Sequence, residues 1–372
     1  MLKDAVAVVD IGMYSLTALI GENGINNNFM IRAITQVDHE AFDETSINEG
    51  KLYGALESAL KKVSTSAKAR LDRIYVGVPG PFLRIFNTEQ RTSFNRARRV
   101  RERDISDLFD GAQKSLDTGD YEIITRSGVC YYVDGNLPCD ELLGVKTSLI
   151  SSYVTLYGAQ KRFTGLLRDM LRNLKISEVY FIPVPLAEGQ LLFSKNERKQ
   201  VQILLDVGYL SSTLSILAGD GTLFHKSFNV GGGYVTAYLY DKFNVDFEVA
   251  ERLKRKVNLS IHKDVGNYVV VYGEGQYTFP VGVTNDVTRS ILDTIAENFD
   301  KALLNSRVKL PHDAVVSLTG GGITYIRGGA EYLGGRIEMP VNIVAPKIAY
   351  MSKPEDTSSL AVLNYALNQK FY

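Results

Sequence analysis

The chain has 372 residues, of which 45% are hydrophobic and 23% are charged, as in an ordinary soluble globular protein. Its 42 basic and 42 acidic residues cancel, which argues against a dedicated nucleic-acid-binding protein. The sequence has no apolar run long enough to span a bilayer and no signal-peptide pattern at its N-terminus, so we expect a cytoplasmic protein.

Length and cysteine content narrow the class of protein further. A chain of this length exceeds the size at which a single hydrophobic core stops growing, so we expect two lobes with a cleft between them. The only cysteines are Cys130 and Cys139, which favours reduced thiols over a disulfide framework. The four histidines are scattered and have no paired Cys/His spacing, so a zinc site is not expected.

The first element is a hairpin that carries a carboxylate at its tip. Ala5 to Gly21 reads AVAVVDIGMYSLTALIG, two apolar runs separated by a turn at Asp10 and Gly12. Asp and Gly also form ordinary hairpin turns, so this motif alone does not indicate a binding site. The pattern then predicts a strand over Phe29 to Val37, a helix over Ser46 to Val63 and a strand over Leu71 to Val78, the beginning of an α/β fold.

The sequence changes character between about Phe82 and Gly158. Arg91 to Arg103 carries six arginines, a helix is predicted over Asp104 to Leu116, and a pair of strands over Tyr121 to Val133. The arginine cluster is either a solvated face before a helix or a contact surface for an acidic partner, a neighbouring subunit or anionic lipid. Nothing in the sequence decides between these two interpretations.

The α/β pattern then resumes and leads to a connector. We predict a strand over Lys146 to Tyr157, a helix over Ala159 to Leu174 and a short strand over Val179 to Ile182. A rigid proline-containing link between the lobes is predicted over Pro183 to Gly189.

Val201 to Leu217, VQILLDVGYLSSTLSIL, repeats the design of the first hairpin, with Asp206 and Gly208 at the turn. Two such hairpins indicate an internal duplication in which each lobe directs one acidic turn into a shared cleft. The two carboxylates would repel each other unless a cation, or a phosphate that carries a cation, lay between them. Magnesium with a phosphate ligand meets that requirement.

The remaining motifs belong to the second half of the chain. Glu251, Lys254 and Arg255 fall at i, i+3 and i+4 of a predicted helix, and they form either a surface salt-bridge face or a contact to ribose and phosphates. Three consecutive glycines follow a predicted strand over Val315 to Leu318, and we expect them to open a helix whose backbone N–H groups approach a ligand. Further elements are predicted at Phe228 to Thr236 (glycine-rich), Phe247 to Lys256 (helix), Tyr268 to Pro280 (hairpin) and Val287 to Val308 (helix).

The ordered set of motifs resembles the actin-like ATPase superfamily, and within it the FtsA family of bacterial cell-division proteins. The resemblance covers nearly the whole chain and is carried by DIG at Asp10, IYVGVPG at Ile74, PLAEG at Pro185, ILLDVG at Ile203, NVGGG at Asn229, AERLK at Ala250 and LTGGG at Leu318. Proteins of type IV pilus assembly that are similar to FtsA share this plan and are the nearest alternative.

The resemblance implies an α/β fold: a two-lobed actin-like, ribonuclease-H-like architecture with duplicated βββαβα cores and an inserted small α+β subdomain. The first lobe would comprise 1–82 and 159–200, the insert 83–158, the core of the second lobe 201–235 and 287–345, and its small subdomain 236–286. Residues 346–372 would return to the first lobe as a C-terminal helix.

The resemblance also implies a nucleotide site for ATP and magnesium in the cleft. Asp10 and Asp206 would hold magnesium through water, Gly231 and Gly232 would lie in the second connection between the lobes, and Glu251 and Lys254 would contact ribose and adenine. The full predicted set is Asp10, Gly12, Met13, Tyr14, Ser15, Asp206, Gly208, Ser211, Ser212, Gly231, Gly232, Glu251, Lys254, Arg255, Gly320, Gly321, Gly322 and Ile323.

Five positions depart from the family pattern, one of them Thr213, which stands in place of an acid in the second loop. Met13 replaces a hydroxyl residue of the first loop, Tyr209 and Leu210 replace small glycines of the second, and Val184 replaces an acidic residue of the connector. Ser211 and Ser212 keep their hydroxyl groups. We therefore expect ATP to bind weakly, or to be hydrolysed poorly or not at all.

The predicted function is that of a cell-division scaffold that assembles with itself and with the FtsZ-like division tubulin. Thr357 to Gln369 reads as the last helix of the fold and lacks the basic face of a membrane-surface helix, so we expect either a truncated chain or membrane contact through an anchored adaptor. The alternatives are a pilus-assembly adaptor of the PilM type and an actin-fold phosphotransferase, for which the sequence offers no acceptor-activating base besides Asp10 and Asp206.

Overall fold

The computed structural model describes residues 5–24, 29–43, 46–135, 137–262, 264 and 266–368. The chain begins with β1 (Ala5–Ile11), β2 (Ser15–Asn23) and β3 (Phe29–Asp38), continues through α1 (Glu49–Ala67) and returns in β4 (Arg73–Val78). The side chain of Asn48 caps α1 by accepting a hydrogen bond from the backbone N–H of Lys51. A 3-10 turn, Gly80–Phe82, closes this first unit.

The insert is built around three long antiparallel strands. Its elements are β5 (Leu83–Arg99), α2 (Glu102–Lys114), β6 (Tyr121–Val133), β7 (Leu137–Cys139) and β8 (Lys146–Gln160), and the strand order in the sheet is β5-β8-β6-β7. The predicted strand pair over Tyr121 to Val133 is wrong, because β6 is a single strand with a register shift between Gly128 and Cys130. Gly128 therefore marks an irregularity in the ladder and not a turn.

Most of the arginine cluster lies in strand β5, shortly before helix α2. Arg98 forms a 2.6 Å ion pair with Asp104 at the start of α2, and its guanidinium lies 3.8 Å from the centre of the Phe94 ring. The side chains of Arg91, Arg96 and Arg99 are exposed. The cluster is thus mostly an exposed strand face, available to solvent or to a partner, with Arg98 tied into the subdomain.

The chain re-enters the first lobe through α3 (Lys161–Asn173), β9 (Glu178–Pro183) and α4 (Val184–Leu192). The first-lobe sheet has the order β3-β2-β1-β4-β9, in which β4 is parallel to both β1 and β9. Helices α1 and α3 pack on one face through a core that includes Leu56 and Phe163. Pro183 and Pro185 stand at the N-terminus of α4, where the missing N–H groups have no intrahelical partner to lose.

The second lobe repeats this plan. Its elements are β10 (Gln202–Val207), β11 (Ser212–Ala218), β12 (Gly221–Phe228), α5 (Gly232–Phe243), α6 (Phe247–Lys254), β13 (Asn267–Tyr272), β14 (Gly275–Pro280), α7 (Val281–Ser306), β15 (Val316–Thr319), α8 (Gly329–Ile337) and β16 (Val341–Ile343). The main sheet has the order β12-β11-β10-β15-β16, while β13 and β14 form a separate hairpin. The expected opening of a helix by the glycines after β15 is wrong, since turns follow and α8 begins only at Gly329.

The last described helix, α9 (Thr357–Asn368), packs against the first lobe. Leu360 and Leu363 are fully buried with Val8 of β1, Leu19 of β2 and Ala187 of α4. The first-lobe sheet is therefore covered on both faces, as expected for a sheet with parallel strands. Within the described residues, the helices are all too short or too polar to cross a membrane.

Candidate functional site in the cleft between the lobes

The tips of the two duplicated hairpins have the same backbone geometry. The N–H of Gly12 donates to the carbonyl of Ser15 at 2.9 Å, and the N–H of Gly208 donates to the carbonyl of Ser211 at 2.9 Å. A Cβ on Gly12 would lie 2.7 Å from that carbonyl oxygen, so the first turn requires glycine. These matching turns place Asp10 and Asp206 at equivalent ends of β1 and β10.

Both aspartates carry perturbed carboxyl groups. Burial raises the pKa of Asp10 to about 6, although the hydroxyl of Ser358 on α9 donates a hydrogen bond to it and partly offsets that shift. Burial, followed by the charge of Asp10, raises the pKa of Asp206 to about 7. The two carboxyl groups that the sequence predicts to face one cleft therefore sense each other electrostatically.

A third acid, Glu188 of α4, belongs to the same group and was missed by the sequence reasoning. Its side chain is 1% exposed, and Oε1 has no hydrogen-bond partner. Burial, then Asp206 and Asp10, raise its pKa well above the ordinary value. A charged residue inside the otherwise apolar stretch VPLAEG was the available signal, because Glu is almost never fully buried without a partner. We call Asp10, Glu188 and Asp206 the acidic floor.

The predicted phosphate contacts are mostly engaged within the protein. Gln36 donates to the hydroxyl of Ser15 at 2.9 Å, and the hydroxyl of Ser212 donates to the carbonyl of Val230 at 2.6 Å. Met13 packs against the core of the first lobe. Ser211, together with Met13 and Leu210, lines a cavity of about 300 Å³ behind the hairpin tips.

Aromatic side chains bridge the two hairpin tips above the acidic floor. The ring centres of Tyr14 and Tyr209 lie 4.5 Å apart at an interplanar angle of 35°. The ring of Tyr209 also covers Gly233, where a Cβ would lie 2.7 Å from a ring carbon. The two hairpins thus contact each other directly through these side chains.

Glu251, Lys254 and Arg255 are brought together as predicted, but they bind one another. The carboxylate of Glu251 lies 2.6 Å from Nζ of Lys254 and 3.0 Å from Nε of Arg255, and the hydroxyl of Thr236 donates to it at 2.6 Å. Lys254 is 1% exposed and donates to the carbonyl of Gly232 at 3.2 Å. Burial lowers the pKa of Lys254, and the charge of Glu251 opposes that shift.

Two tyrosine rings lie against this charged cluster. The Nζ atom of Lys254 is 5.2 Å from the ring centre of Tyr209 and 5.8 Å from that of Tyr325. The guanidinium of Arg255 is 5.2 Å from the ring centre of Tyr325. These rings stand beside the residues that the family resemblance assigns to ribose and adenine, and cation–π contacts stabilise them there.

The glycine segments pack backbone against backbone. The N–H of Gly232 donates to the carbonyl of Gly208 at 2.9 Å, and the N–H of Gly322 donates to the carbonyl of Val207 at 2.8 Å. Gly231 and Gly232 do not lie in a connection between the lobes; Gly232 opens α5 within the second lobe, and a Cβ on it would lie 2.0 Å from the carbonyl oxygen of Gly322. Close chain packing therefore accounts for these glycines without a ligand.

The glycines after β15 border the acidic floor. Gly320 has a φ of +91°, and a Cβ on it would lie 2.2 Å from a carboxylate oxygen of Asp206. A Cβ on Gly321 would lie 3.1 Å from the side chain of Glu355. The side chain of Ile323 is buried in the core of the second lobe. This segment shapes the wall beside Asp206, but Ile323 does not face the cleft.

A divalent cation fits the acidic floor. Glu188 has an oxygen without a partner, the pKa values of all three acids are raised, and among the ion pairs of the described residues none involves Asp10, Glu188 or Asp206. Across the same described residues, no group of three or more His, Cys, Asp or Glu side chains is arranged to coordinate a metal directly. A cation would accordingly be held through water, as hard cations such as Mg²⁺ commonly are.

ATP does not fit this arrangement. Tyr209 and Tyr325 pack on the cations predicted to hold ribose and base, and the Tyr14–Tyr209 contact closes the space between the loops predicted to hold phosphates. The hydroxyls of Ser15 and Ser212 already have partners.

Comparison with known proteins gives relatives of one kind. No protein-family model matches the chain. The chain is 20% identical to the cell division protein FtsA of Enterococcus hirae, with 97% of this chain and 82% of that protein covered. It is 22% identical to FtsA of Streptococcus pneumoniae, with 91% and 74% covered. FtsA of Bacillus subtilis is 20% identical, with 96% and 82% covered.

Solved structures agree on the architecture. A chain of the PilM–PilN type IV pilus biogenesis complex matches with a TM-score of 0.66 at 16% identity, covering 98% of this chain and 99% of that one. MreB5 of Spiroplasma citri bound to ADP matches with a TM-score of 0.57 at 11% identity, covering 98% and 96%. The chain therefore has the two-lobed actin-like fold and is similar to FtsA along most of its length, and the resemblance inferred from its motifs is confirmed.

Proposed function

We propose that this protein is an actin-like scaffold of the bacterial cell-division apparatus, which acts by assembling with itself and with division proteins. The similarity to FtsA along most of the chain, on an actin-like fold, is the observation that carries the proposal. A scaffold needs surfaces and a defined shape, whereas a phosphotransferase also needs an open site with a base for the acceptor hydroxyl.

The state of the cleft favours assembly over turnover. A phosphotransferase must bring phosphates close to backbone N–H groups and to hydroxyls, and here Tyr209 and Leu210 stand where the family has glycines. The hydroxyl of Ser212 is buried and already bonded to Val230. ATP with magnesium, expected from the family resemblance, therefore enters the proposal only as an effector whose binding is to be measured.

The partners follow from the same resemblance. We propose that the chain associates with a second copy of itself and with the FtsZ-like division tubulin, and that it reaches the inner face of the cell membrane, from the cytoplasm, through a membrane-anchored adaptor. Nucleic acid is not among the proposed partners, in keeping with the balanced charge.

A second candidate function is that of a pilus-assembly adaptor. One chain of the PilM–PilN complex matches 98% of this chain, so the match extends into the four-stranded insert of this chain. If the protein is a pilus-assembly adaptor, a short segment of a membrane protein would bind the insert. The genes next to the one that encodes this chain discriminate between the candidates, because they would encode pilus components in one case and division proteins in the other.

The scaffold proposal is tested by sedimentation and negative-stain electron microscopy of the purified chain. Samples would be prepared alone, with the division tubulin, and with either MgATP or EDTA. We expect filaments or co-sedimentation with the tubulin in both nucleotide conditions. Monomers under every condition, with no co-sedimentation, would refute the proposal. Phosphate release that is robust and lost in Asp206→Ala would instead establish an enzyme.

A further inference from the structure

We infer that Tyr14, Tyr209 and Leu210 form an interlobe latch that takes the place of a bound nucleotide in holding the two lobes together. Each lobe contributes to the latch from the tip of its duplicated hairpin, Tyr14 from the first and Tyr209 with Leu210 from the second. The inference concerns the resting state of the cleft and does not depend on the proposed scaffold function.

The contacts of the latch cross from one lobe to the other. The Tyr14 and Tyr209 rings lie 4.5 Å apart, within the range in which aromatic pairs attract each other beyond simple burial. Leu210, from the second lobe, packs on the hydrophobic core of the first lobe together with Met13 and Phe82. An apolar contact therefore stands beside the aromatic one, at positions where the family pattern has glycines.

The ring of Tyr209, the second-lobe part of the latch, packs against other residues of the second lobe. Gly233 leaves room for the Tyr209 ring, and the buried ammonium of Lys254 lies 5.2 Å from the ring centre. Lys254 is fixed in turn by Glu251 and by the carbonyl of Gly232. The groups that the resemblance assigns to ribose and adenine thus support Tyr209.

Other contacts join the same two lobes without a ligand. Nε2 of the half-buried His225 lies 3.1 Å from the carbonyl oxygen of Gly80, and the hydroxyls of Thr319 and Thr357 lie 2.8 Å apart. The hydroxyl of Tyr157 in the insert lies 2.8 Å from that of Thr222 on β12. The relative position of the lobes is therefore fixed at several places, and the latch closes the cleft between them.

A double-mutant cycle tests the latch directly. Urea unfolding of the full chain would be measured for the wild type, Tyr14→Ala, Tyr209→Ala and the double variant, with the exposed Tyr238→Ala as control. We expect the two latch substitutions to be coupled by about fivefold in the unfolding equilibrium constant, the effect of an aromatic pair. Tyr238→Ala would leave that constant nearly unchanged. Additive effects of Tyr14→Ala and Tyr209→Ala would refute the contact.

Nucleotide titration separates the latch from an ordinary ATP site. Calorimetry of the wild type with MgATP should give no binding below the millimolar range, and Tyr209→Gly, which opens the cleft, should bind MgATP at least as well. Micromolar binding to the wild type that Tyr209→Ala weakens would overturn the inference, because Tyr209 would then be part of a nucleotide site. If Tyr209→Gly does not fold, Tyr14→Ala serves for the same titration.

Self-assembly of the same variants is measured in parallel. If the wild type forms no filaments and does not bind the division tubulin, the scaffold proposal is refuted, whereas the inferred latch is unaffected. Conversely, micromolar MgATP binding to the wild type that Tyr209→Ala weakens would refute the latch whether or not filaments form.

Discussion

Glu188 is a buried acid whose side chain is incompletely hydrogen-bonded. A buried carboxylate costs several kcal/mol unless it is neutralised, hydrogen-bonded or paired with a cation. Glu188 has an oxygen without a partner, and its neighbours Asp10 and Asp206 are themselves acids whose pKa values are raised. Two states relieve this repulsion: protons held on the acidic floor, or a divalent cation bound there through water.

The cation-bound state predicts a stability effect. Addition of 10 mM Mg²⁺ at pH 8 should raise the free energy of unfolding by about 1 to 2 kcal/mol if the dissociation constant is about 1 mM, and the midpoint of thermal unfolding should rise with it. Glu188→Gln should weaken the effect, since it removes one of the three negative charges, whereas Glu274→Gln on the exposed turn of the β13–β14 hairpin should not. The readout is differential scanning fluorimetry without nucleotide. An equal Mg²⁺ shift in all three proteins would contradict a cation site at the acidic floor.

His225 makes stability depend on pH through an interlobe contact. Burial lowers the pKa of His225 to about 4, while the hydrogen bond to the carbonyl of Gly80 opposes this shift and Lys226 adds to it. A histidine whose pKa is lower in the folded state is protonated more readily when the chain unfolds, so stability is lost as pH falls below about 6.5 toward 4.

His225 alone is expected to contribute a loss of about 3 kcal/mol between pH 7 and pH 4, because each pKa unit corresponds to about 1.4 kcal/mol, while the raised pKa values of Asp10 and Asp206 act in the opposite direction over the same range. His225→Gln, which keeps a side-chain donor but cannot be protonated, should remove the histidine contribution, so that its stability relative to the wild type rises as the pH falls from 7 to 4. His312→Gln, on a loop before β15, is the matched control. The measurement is urea unfolding across that pH range. A profile that His225→Gln leaves unchanged would exclude this histidine as the source.

At the scale of elements, the β13–β14 hairpin exposes apolar side chains on its outer face. Tyr268 and Val270 point into the core of the second lobe, while Val269 and Val271 on the opposite face are exposed, Val271 by 60%. The solvated face of an antiparallel sheet is normally polar, so adjacent exposed valines indicate a contact surface.

Charge on this hairpin should therefore weaken assembly. Val271→Lys is expected to reduce filament formation or tubulin binding at least tenfold in critical concentration or affinity, with little change in thermal stability. Leu304→Lys on α7, where the leucine is 80% exposed, provides a second exposed apolar position in the same lobe. Co-sedimentation across a concentration series measures both. If the two variants behave alike, the hairpin has no special role in assembly.

Some elements of the fold can be predicted from the sequence alone, and others cannot. Both acidic hairpins, the helix with Glu251, Lys254 and Arg255, and α9 follow from local periodicity and turn chemistry, and the structure contains them. Strand β6 was predicted as a strand pair because a glycine within a strand and a glycine at a turn look alike without the partner strand.

The site was harder to predict than the fold for a physical reason. The sequence marks Tyr209 as a departure at a phosphate loop, but only the structure places its ring against Tyr14, a residue nearly two hundred positions away, and against Lys254. The same holds for Glu188, whose burial among two other acids depends on the docking of both lobes. Local pattern cannot encode which distant side chains share a cleft.

At the scale of the whole molecule, the insert ties the lobes together. The insert is part of the first lobe in the chain, yet it also contacts the second lobe at β12 and at the turn before β12. The hydroxyl of Thr155 donates to the carbonyl of Thr222 at 3.0 Å, and the backbone N–H of Asp220 donates to the carbonyl of Gly128 at 3.2 Å. The buried Arg198 pairs with Asp220 at 2.7 Å. These ties predict that the lobes unfold together.

A substitution at Gly219, in the turn between β11 and β12, tests whether the insert couples the two lobes. Its φ is +58°, and a Cβ there would lie 1.8 Å from the carbonyl oxygen of Val129 in the insert. Gly273, in the turn between β13 and β14, has the same φ of +58° with nothing within 4 Å of such a Cβ. Alanine at either position incurs a left-handed backbone penalty of about 1 to 2 kcal/mol, but only Gly219→Ala also forces the insert away from the second lobe.

Gly219→Ala should therefore lower stability by several kcal/mol more than Gly273→Ala, and it should split the unfolding transition, because the lobes would no longer be held together through the insert. Scanning calorimetry measures this as a calorimetric enthalpy that exceeds the van't Hoff enthalpy in Gly219→Ala alone. A single cooperative transition in both variants, with equal loss of stability, would mean that the insert does not couple the lobes. Coupling would then rest on the contacts nearer the cleft, including that of Gly80 with His225.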